Sequence, residues 1–331
     1  MPLWAVLVLA YLFEFANGWT DAPNSIATVV STRVLRPFHA VLMAGALNLV
    51  GALAGTAVAK TIASGIVDPN FVSLTTIAAA VLAATIWALG AQYFGLPSSE
   101  SHALVAGLLG AGFAAGGLGA LEWTGTGKSL IGLVTSPLGG FLIGLILMVL
   151  IYRVFSRVRR STVGKVFGKA QVLSAAFMAF SHGTNDAQKT MGIITLAVLL
   201  NDAGPGGKVP ESFEIPLWVI LSAAFVIGVG TMIGGWRVIR TLGLRMTKLE
   251  PVQGFAAETG AAAVITGAAQ LGIPVSTTHA IGSAIMGVGA TRRFSAVRWG
   301  VAGQVVTAWI LTWPSCMVLG YLLEKVMAAA L

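Results

Sequence analysis

The chain has 331 residues, of which 56% are hydrophobic and only 10% are charged, and its mean hydropathy is +0.86. Soluble globular proteins carry about 25% charged residues, so this composition excludes a water-soluble domain and indicates that lipid surrounds most of the chain. The net charge of +8 comes from basic residues at the ends of apolar stretches, a membrane-topology pattern, and we expect no nucleic-acid partner. The single cysteine, Cys316, excludes an internal disulfide.

Apolar stretches of about 20 residues, long enough to cross a bilayer as helices, form two sets of five. The first set is 3–31, 38–60, 71–93, 97–120 and 129–152; the second is 170–200, 214–236, 254–272, 274–291 and 299–325. We predict an all-α integral membrane protein with about ten crossings. We expect a single membrane domain, made of repeat one (1–152), a basic linker (153–169) and repeat two (170–331). The apolar N-terminus, without a signal-peptide pattern, is expected to remain as the first span.

The first stretch of each set is interrupted by polar residues. A helix over 3–31 would be roughly 46 Å long, against about 30 Å of hydrocarbon. We therefore predict that these two stretches are broken helices.

Loop charges indicate the orientation of the chain. We place residues 153–169 in the cytoplasm and let the chain cross the membrane alternately from there. Fifteen of the 20 basic residues then lie on the cytoplasmic side and four on the outer side. The remaining one, Lys189, lies inside the membrane. The four outer residues are Lys60, Lys128, Lys208 and Lys325. This arrangement places both termini on the outer side of the membrane and makes the two halves antiparallel.

The two halves share motifs in the same order. GLPSSESHALVAGLLGAG (95–112) and GIPVSTTHAIGSAIMGVG (272–289) match at seven of 18 positions, at an offset of 177 residues. FANGWTDAPN (15–24) and FSHGTNDAQK (180–189) match at Phe, Gly, Asp and Ala, at an offset of 165. Inverted repeats of this kind are typical of secondary transporters, whose binding site lies between the repeats near the membrane midplane.

The two PxSxxH segments predict an anion site. Proline is favoured in the first turn of a helix, so Pro97 and Pro274 are expected to start new helices. A helix start presents free N–H groups and partial positive charge, and hydroxyl groups add further donors for an oxyanion. The alternative is that these residues only cap the helices. The candidate substrate-binding hydroxyls are Ser98, Ser99, Ser101, Ser276, Thr277 and Thr278.

Asp21 and Asp186 lie in the apolar stretches that open the two halves. A carboxylate within the membrane is expensive, and such residues are functional by default. Asp21, with Asn24 and Ser25, offers oxygen ligands for a small hard cation such as Na⁺. Protonation of Asp21, or a structural role in capping a helix end, are the alternatives. Asn185 and Asp186 are the corresponding candidates in the second half, and both aspartates are also candidates for contact with the anion.

Lys189 aligns with Asn24 of the first half. Its ammonium lies three residues after Asp186, within reach of that carboxylate on one helix face. Lys189 is therefore a candidate to replace a bound cation or to contact the anion, and the alternative is a structural Asp–Lys pair.

The remaining candidates are predicted to line a pathway. His102 and His279 occupy equivalent repeat positions and are suited to donate to an anion, relay protons or cap neighbouring carbonyls. Glu258 is a candidate second acid on the pathway, and Glu14 and Glu100 are weaker candidates. We expect no cofactor other than a bound Na⁺.

Taken together, these four motifs resemble the inorganic phosphate transporter (PiT) family over almost the whole chain. The resemblance implies an inverted-repeat secondary transporter that imports inorganic phosphate by Na⁺ or H⁺ symport through alternating access. Bacterial sulfate permeases belong to the same family, so sulfate or another tetrahedral oxyanion is the alternative substrate. The family's GANDVANA-type signature is altered here, with Thr20 before Asp21 and Lys189 late in the second copy. The ammonium of Lys189, in place of a neutral ligand, argues against a symmetric pair of Na⁺ sites and favours proton coupling or a single Na⁺.

Two other classes of protein fit the sequence less well. A passive channel would need a ring of like charges or a filter repeat. An intramembrane hydrolase would need one catalytic serine, whereas Ser-x-x-His occurs twice. We therefore predict a transporter and not an enzyme, with lipid, phosphate and a cation as partners. The sequence leaves open whether it forms a homo-oligomer.

Overall fold

The computed structural model describes residues 1–204, 209–210 and 212–330. The protein is 82% helical, and the one β-type pairing in these residues is an isolated bridge between Val67 and Leu121. The helices are α1 (Leu3–Ser31), α2 (Pro37–Ala52), α3 (Ala57–Gly65), α4 (Leu74–Phe94), α5 (Glu100–Gly116), α6 (Trp123–Val154), α7 (Arg160–Ala203), α8 (Leu217–Ile233), α9 (Trp236–Arg240), α10 (Pro251–Gln270), α11 (Thr277–Ala290) and α12 (Trp299–Ala330). A π-helical turn, Thr241–Arg245, extends α9. The predicted all-α fold is confirmed.

Each predicted apolar stretch corresponds to one helix or one bent pair of helices. Within the described residues, five helices are long and apolar enough to cross a membrane, namely α1, α4, α5 with its following turn, α6 and α12. Counting the bent pairs α2–α3 and α8–α9 as one span each gives up to seven. The 14 residues of α11 span only about 21 Å, less than the hydrocarbon thickness. The count of ten crossings therefore stays a prediction.

The helix breaks differ from those predicted. Both α1 and α7 are continuous, with 29 and 44 residues, and α1 contains Pro23. A Cβ built at Gly235 would lie 2.9 Å from the Pro23 ring and 3.0 Å from the Trp19 carbonyl oxygen, so the start of α9 packs closely around the position where proline removes a hydrogen bond. Neighbouring helices often stabilise proline within membrane helices in this way.

The breaks occur instead in the second stretch of each half. Helix α2 meets α3 at an angle of 70°, and α8 meets α9 at 58°. Gly234, at the second break, has a φ of +74°, which glycine adopts without strain. The side-chain oxygen of Gln188 in α7 accepts hydrogen bonds from the backbone N–H groups of Val58 (2.8 Å) and Ala59 (3.3 Å). Helix α7 thus supplies partners for the free N–H groups at the start of α3.

The basic linker is mostly helical, because α7 begins at Arg160. The linker lies beside the chain segments that follow α9 and α11, because Phe155, Ser156 and Arg160 line a cavity of about 870 Å³ together with Glu250 and Arg292. At the other end of the 32-residue α6, the loops before α4 and after α5 are joined by a hydrogen bond from Asp68 N–H to the Ala120 carbonyl (2.9 Å). Lys208 lies outside the described residues.

Helix contacts occur in matched pairs between the halves. Helix α5 packs on α12, and α11 packs on α6. Likewise α2 packs on α7, and α8 packs on α1. Glycine permits the closest of these approaches: a Cβ at Gly110 would lie 2.0 Å from the Met317 carbonyl oxygen, and one at Gly287 would lie 2.2 Å from that of Phe141. These contacts hold α5 and α11 against the opposite half of the chain.

Gly110→Ala should separate α5 from α12 and lower stability, because its new methyl group would overlap the Met317 carbonyl. We expect a cost of about 1–3 kcal/mol, measured as a lower melting temperature in detergent. Gly90→Ala in α4 is the control, since beyond its own helix backbone no atom of the described residues lies within 4 Å of its Cβ position. Equal melting temperatures for the two variants would contradict this packing.

Candidate ion-binding site

Four segments meet in the interior of the protein. The middle of α1 carries Asp21 and Asn24, and the middle of α7 carries Asp186 and Lys189. The first turns of α5 and α11 carry the Ser and Thr residues of the two PxSxxH motifs. The side chains predicted from sequence to bind substrate or cation are all buried. The segments that the sequence selected from distant parts of the chain are therefore brought together in one enclosed site.

The start of α11 connects the two long helices. Thr278 donates a hydrogen bond to Asp21 Oδ1 (3.0 Å), and Thr277 donates to Asp186 Oδ2 (3.2 Å). The amide nitrogen of Asn24 donates to the hydroxyl oxygens of both Thr278 (2.9 Å) and Thr277 (3.2 Å). Two adjacent threonines thus bind both acids.

The second half of the site contains a buried ammonium. Lys189 donates hydrogen bonds to Asp186 Oδ1 and to the Ser101 hydroxyl of α5. Ser101 in turn donates to the carbonyl oxygen of Val275, just before α11 (3.0 Å). This chain of contacts joins α7 to the starts of both α5 and α11.

His182 lies between the two acids, although sequence reasoning assigned it no role. Its Nε2 atom is 3.1 Å from Asp186 Oδ2 and 3.9 Å from Asp21 Oδ2. Its Nδ1 atom contacts the Asn48 side-chain oxygen of α2 at 2.5 Å. Asp21, His182 and Asp186 together offer ligand atoms within 4.8 Å of one another, a spacing that suits a metal ion. The signal in the sequence was the spacing of four residues between His182 and Asp186, which puts both on one helix face.

The prediction that the two prolines start the helices is wrong, because neither lies in the first helical turn. Pro97 and Pro274 each lie two residues before the N-cap, which is Ser99 in α5 and Ser276 in α11. Each serine oxygen accepts a hydrogen bond from a backbone N–H, that of His102 at 3.3 Å or His279 at 3.1 Å. A side chain that accepts this hydrogen bond must occupy the cap itself, so the prolines are displaced to the extended segment before it.

The predicted hydroxyl set therefore divides by contact. Ser99 and Ser276 cap helices, and Ser98 donates to Glu100 (3.3 Å), which also accepts from Thr20 of α1 (2.9 Å). The other three hydroxyls contact the acids or Lys189. They are Ser101, Thr277 and Thr278.

His102 and His279 lie one turn into α5 and α11 and face each other. Their ring centroids are 4.7 Å apart, and His279 stacks on Trp309 of α12 at 4.0 Å. Among the described residues, the ring nitrogens of this pair have no hydrogen-bond partner. The pair therefore joins the two helices behind their starts.

Two further buried glutamates, Glu258 and Glu14, lie on either side of the centre. Glu258 of α10 accepts hydrogen bonds from Thr28 of α1 and from Ser174 and Gln171 of α7. Thr28 lies seven residues after Asp21, and Glu14, which accepts from Thr190, lies seven residues before it. Two helical turns along α1 therefore separate each of these contacts from Asp21, on opposite sides.

Several buried side chains near the acids keep polar atoms without a partner among the described residues. Asn24 Oδ1, Ser25 Oγ and both amide atoms of Asn185 are among them, as are Glu100 Oε2 and both amide atoms of Asn17. Buried polar groups are normally hydrogen-bonded, so these atoms are suited to a bound ion or its water. The centre combines acids, neutral oxygen ligands, hydroxyl donors and two helix N-termini.

Comparisons with known proteins identify the family of the chain. Residues 17–320 match the model of the phosphate transporter family, so the chain belongs to that family. A probable low-affinity inorganic phosphate transporter of Rhizobium meliloti is 46% identical over 318 residues, which cover 96% of this chain and 94% of that protein. Its counterpart in Bacillus subtilis is 42% identical over 317 residues, covering 95% and 94%. A solved structure, of the sodium-dependent phosphate transporter, matches with a TM-score of 0.91 and 26% identity over 99% of both chains.

Membership of this family confirms the predicted resemblance and the prediction that the chain is not an enzyme. Together with its apolar helices, it identifies a multi-pass membrane protein of phosphate transport.

Thr278→Val should destabilise the junction of α1 and α11, because it removes the hydroxyl that Asp21 and Asn24 share. Leaving a buried polar group without its partner costs about 1–3 kcal/mol, more when the group is charged. Thermal unfolding of the purified protein measures this loss. Thr278→Ser keeps the hydroxyl and is the matched control. If Val and Ser substitutions lower the melting temperature equally, the hydroxyl contributes nothing.

Proposed function

We propose that this protein imports inorganic phosphate across the cell membrane by cation symport, with alternating access between two inverted repeats. The observation that carries the proposal is the junction of Asp21 and Asp186 with the first turns of α5 and α11. Relatives named as inorganic phosphate transporters, and a structural relative named as sodium-dependent, support it.

The anion is bound at the two helix starts. The first turns of α5 and α11 present N–H groups and partial positive charge. The Ser101, Thr277 and Thr278 hydroxyls also lie there, and each would donate to the anion on leaving its present acceptor, the Val275 carbonyl, Asp186 or Asp21. The capping serines, Ser99 and Ser276, keep their hydroxyl hydrogens available while their oxygens accept from the backbone. Neutral donors of this kind bind a tetrahedral anion and still release it.

The acids favour phosphate over sulfate. Phosphate near neutral pH carries a proton that a carboxylate can accept as a hydrogen bond, whereas sulfate carries none and is repelled. Thr277 and Thr278 donate directly to Asp186 and Asp21, so an anion at the start of α11 lies beside carboxylates. This geometry supports phosphate as the substrate, with sulfate as the alternative.

The coupling cation binds at Asp21. The carboxylate, Asn24 Oδ1 and Ser25 Oγ are oxygen ligands of the type that Na⁺ prefers, and the latter two have no partner among the described residues. Proton binding at the carboxylate is the alternative mode of coupling. Asn185 and Asp186 offer similar groups in the second half. Coupling is needed because bringing an anion into a negative cell costs about 2.3 kcal/mol per charge per 100 mV.

The matched helix contacts support inverted repeats of residues 1–152 and 170–331. Helices at equal positions in the two halves make equivalent contacts. Helix α5 packs on α12, the last helix of the second half, and α11 packs on α6, the last helix of the first half. Both halves also bend in their second stretch. Rocking of one half against the other would expose the central site alternately to the two sides. The closeness of the 153–169 linker to Glu250 and Arg292 supports a common cytoplasmic face, with both termini outside.

Transport is tested with purified protein in liposomes. We expect uptake of radiolabelled phosphate under an inward Na⁺ or H⁺ gradient, imposed separately, and little inhibition by a large excess of sulfate. Asp21→Asn should reduce uptake at least tenfold, which corresponds to about 1.4 kcal/mol. Asp202→Asn, at an exposed position, is the matched control. If sulfate inhibits uptake as strongly as unlabelled phosphate does, the alternative substrate is favoured. Uptake without either gradient would contradict symport.

Orientation is tested by labelling introduced cysteines in a Cys316→Ser background. Lys165→Cys, in the linker, should react with an impermeant maleimide only when the cytoplasmic face is exposed. Lys60→Cys, in α3, should react from outside on intact cells, because its side chain is partly exposed. The reverse pattern would invert the proposed topology.

A further inference from the structure

Lys189 is a buried lysine in the centre of a membrane protein, with 1% of its surface exposed. A buried ammonium is costly unless its charge is compensated and its N–H groups are bound. It donates to Asp186 Oδ1 and Ser101 Oγ, an acid oxygen and a hydroxyl oxygen. Those are the ligand types that a small hard cation would take.

The first half of the protein has an equivalent arrangement without the charge. At the offset of 165, Lys189 corresponds to Asn24, and at the offset of 177, Ser101 corresponds to Thr278. Asn24 donates to Thr278 (2.9 Å) as Lys189 donates to Ser101. The two contacts are thus counterparts, one beside each aspartate.

The chemistry of the two counterparts differs. Asn24 is neutral, and its Oδ1 atom has no partner among the described residues, so it can serve as a cation ligand. Lys189 offers no acceptor atom and brings its own positive charge to the acid. A second cation at Asp186 would meet an ammonium that already contacts the carboxylate, and the two charges would repel each other.

We infer that the Lys189 ammonium takes the place of a bound cation in the second half, so that the protein couples transport to a single exchangeable cation, at Asp21 and Asn24. This inference rests on the proposed symport function and specifies its stoichiometry. The ammonium remains with the protein during the cycle, so one charge fewer crosses the membrane with each anion than in a transporter with two exchangeable cations.

The wild-type protein supplies the first test. Initial rates of radiolabelled phosphate uptake in liposomes are measured against Na⁺ concentration at fixed, equal pH on both sides. We expect no Na⁺ dependence or a Hill coefficient of about one. A Hill coefficient of about two would overturn the inference, whatever the variants show.

The second test is Lys189→Asn, which gives the second half the side chain that Asn24 provides in the first half. We expect this variant to require one more Na⁺ than the wild type, seen as new Na⁺ dependence or a higher Hill coefficient. Lys165→Asn, on the exposed part of α7, is the control for loss of one positive charge and should behave as wild type. An unchanged ion requirement in an active Lys189→Asn protein would overturn the inference.

A binding measurement covers the case in which Lys189→Asn is unstable or inactive. Replacing choline chloride with NaCl should raise the melting temperature of the detergent-solubilised variant. We expect this increase to be larger than the increase for the wild type. The absence of this additional Na⁺ stabilisation would overturn the inference. Because melting requires no transport, it still tests Lys189 if the wild type shows no phosphate uptake, a result that would instead reject the proposed function.

Discussion

The structure depends on the neutralisation of buried charges where α1 and α7 pass the starts of α5 and α11. Asp21 and Asp186 lie where no bulk water can solvate them, so each needs donors from the protein. Thr277, Thr278 and Lys189 supply those donors from different helices. Any motion that exposes the site must separate some of these contacts.

Close helix packing makes this junction possible. The starts of α5 and α11 must reach the centre from opposite halves, and each is supported by the last helix of the other half. Glycines such as Gly110 and Gly287 allow backbone-to-backbone approach at these crossings. In lipid, where apolar side chains gain little by leaving the solvent, such close contact is the main source of helix association.

The polar residues of α1 and α7 were predicted to break those helices, but the breaks lie elsewhere. Local sequence indicates where a helix is weakened, as at Pro23, but not whether a neighbour compensates for the loss. Here Gly235 packs on Pro23, and Gln188 caps the neighbouring α3 instead of interrupting α7. The contact between His182 and Asn48 could not be predicted from sequence for a related reason. The two residues lie 134 positions apart in the chain.

Sequence alone determined the lipid-facing character, the helical class, the order of the apolar stretches and most members of the central cluster. Composition and apolar length carry that information locally, and the motif pairs around Asp21 and Asp186 indicate the residues of interest. Only the tertiary structure decided which hydroxyls contact acids and which cap helices, and that His182 lies between the two carboxylates. Those facts depend on contacts between helices far apart in the chain, which no local pattern encodes.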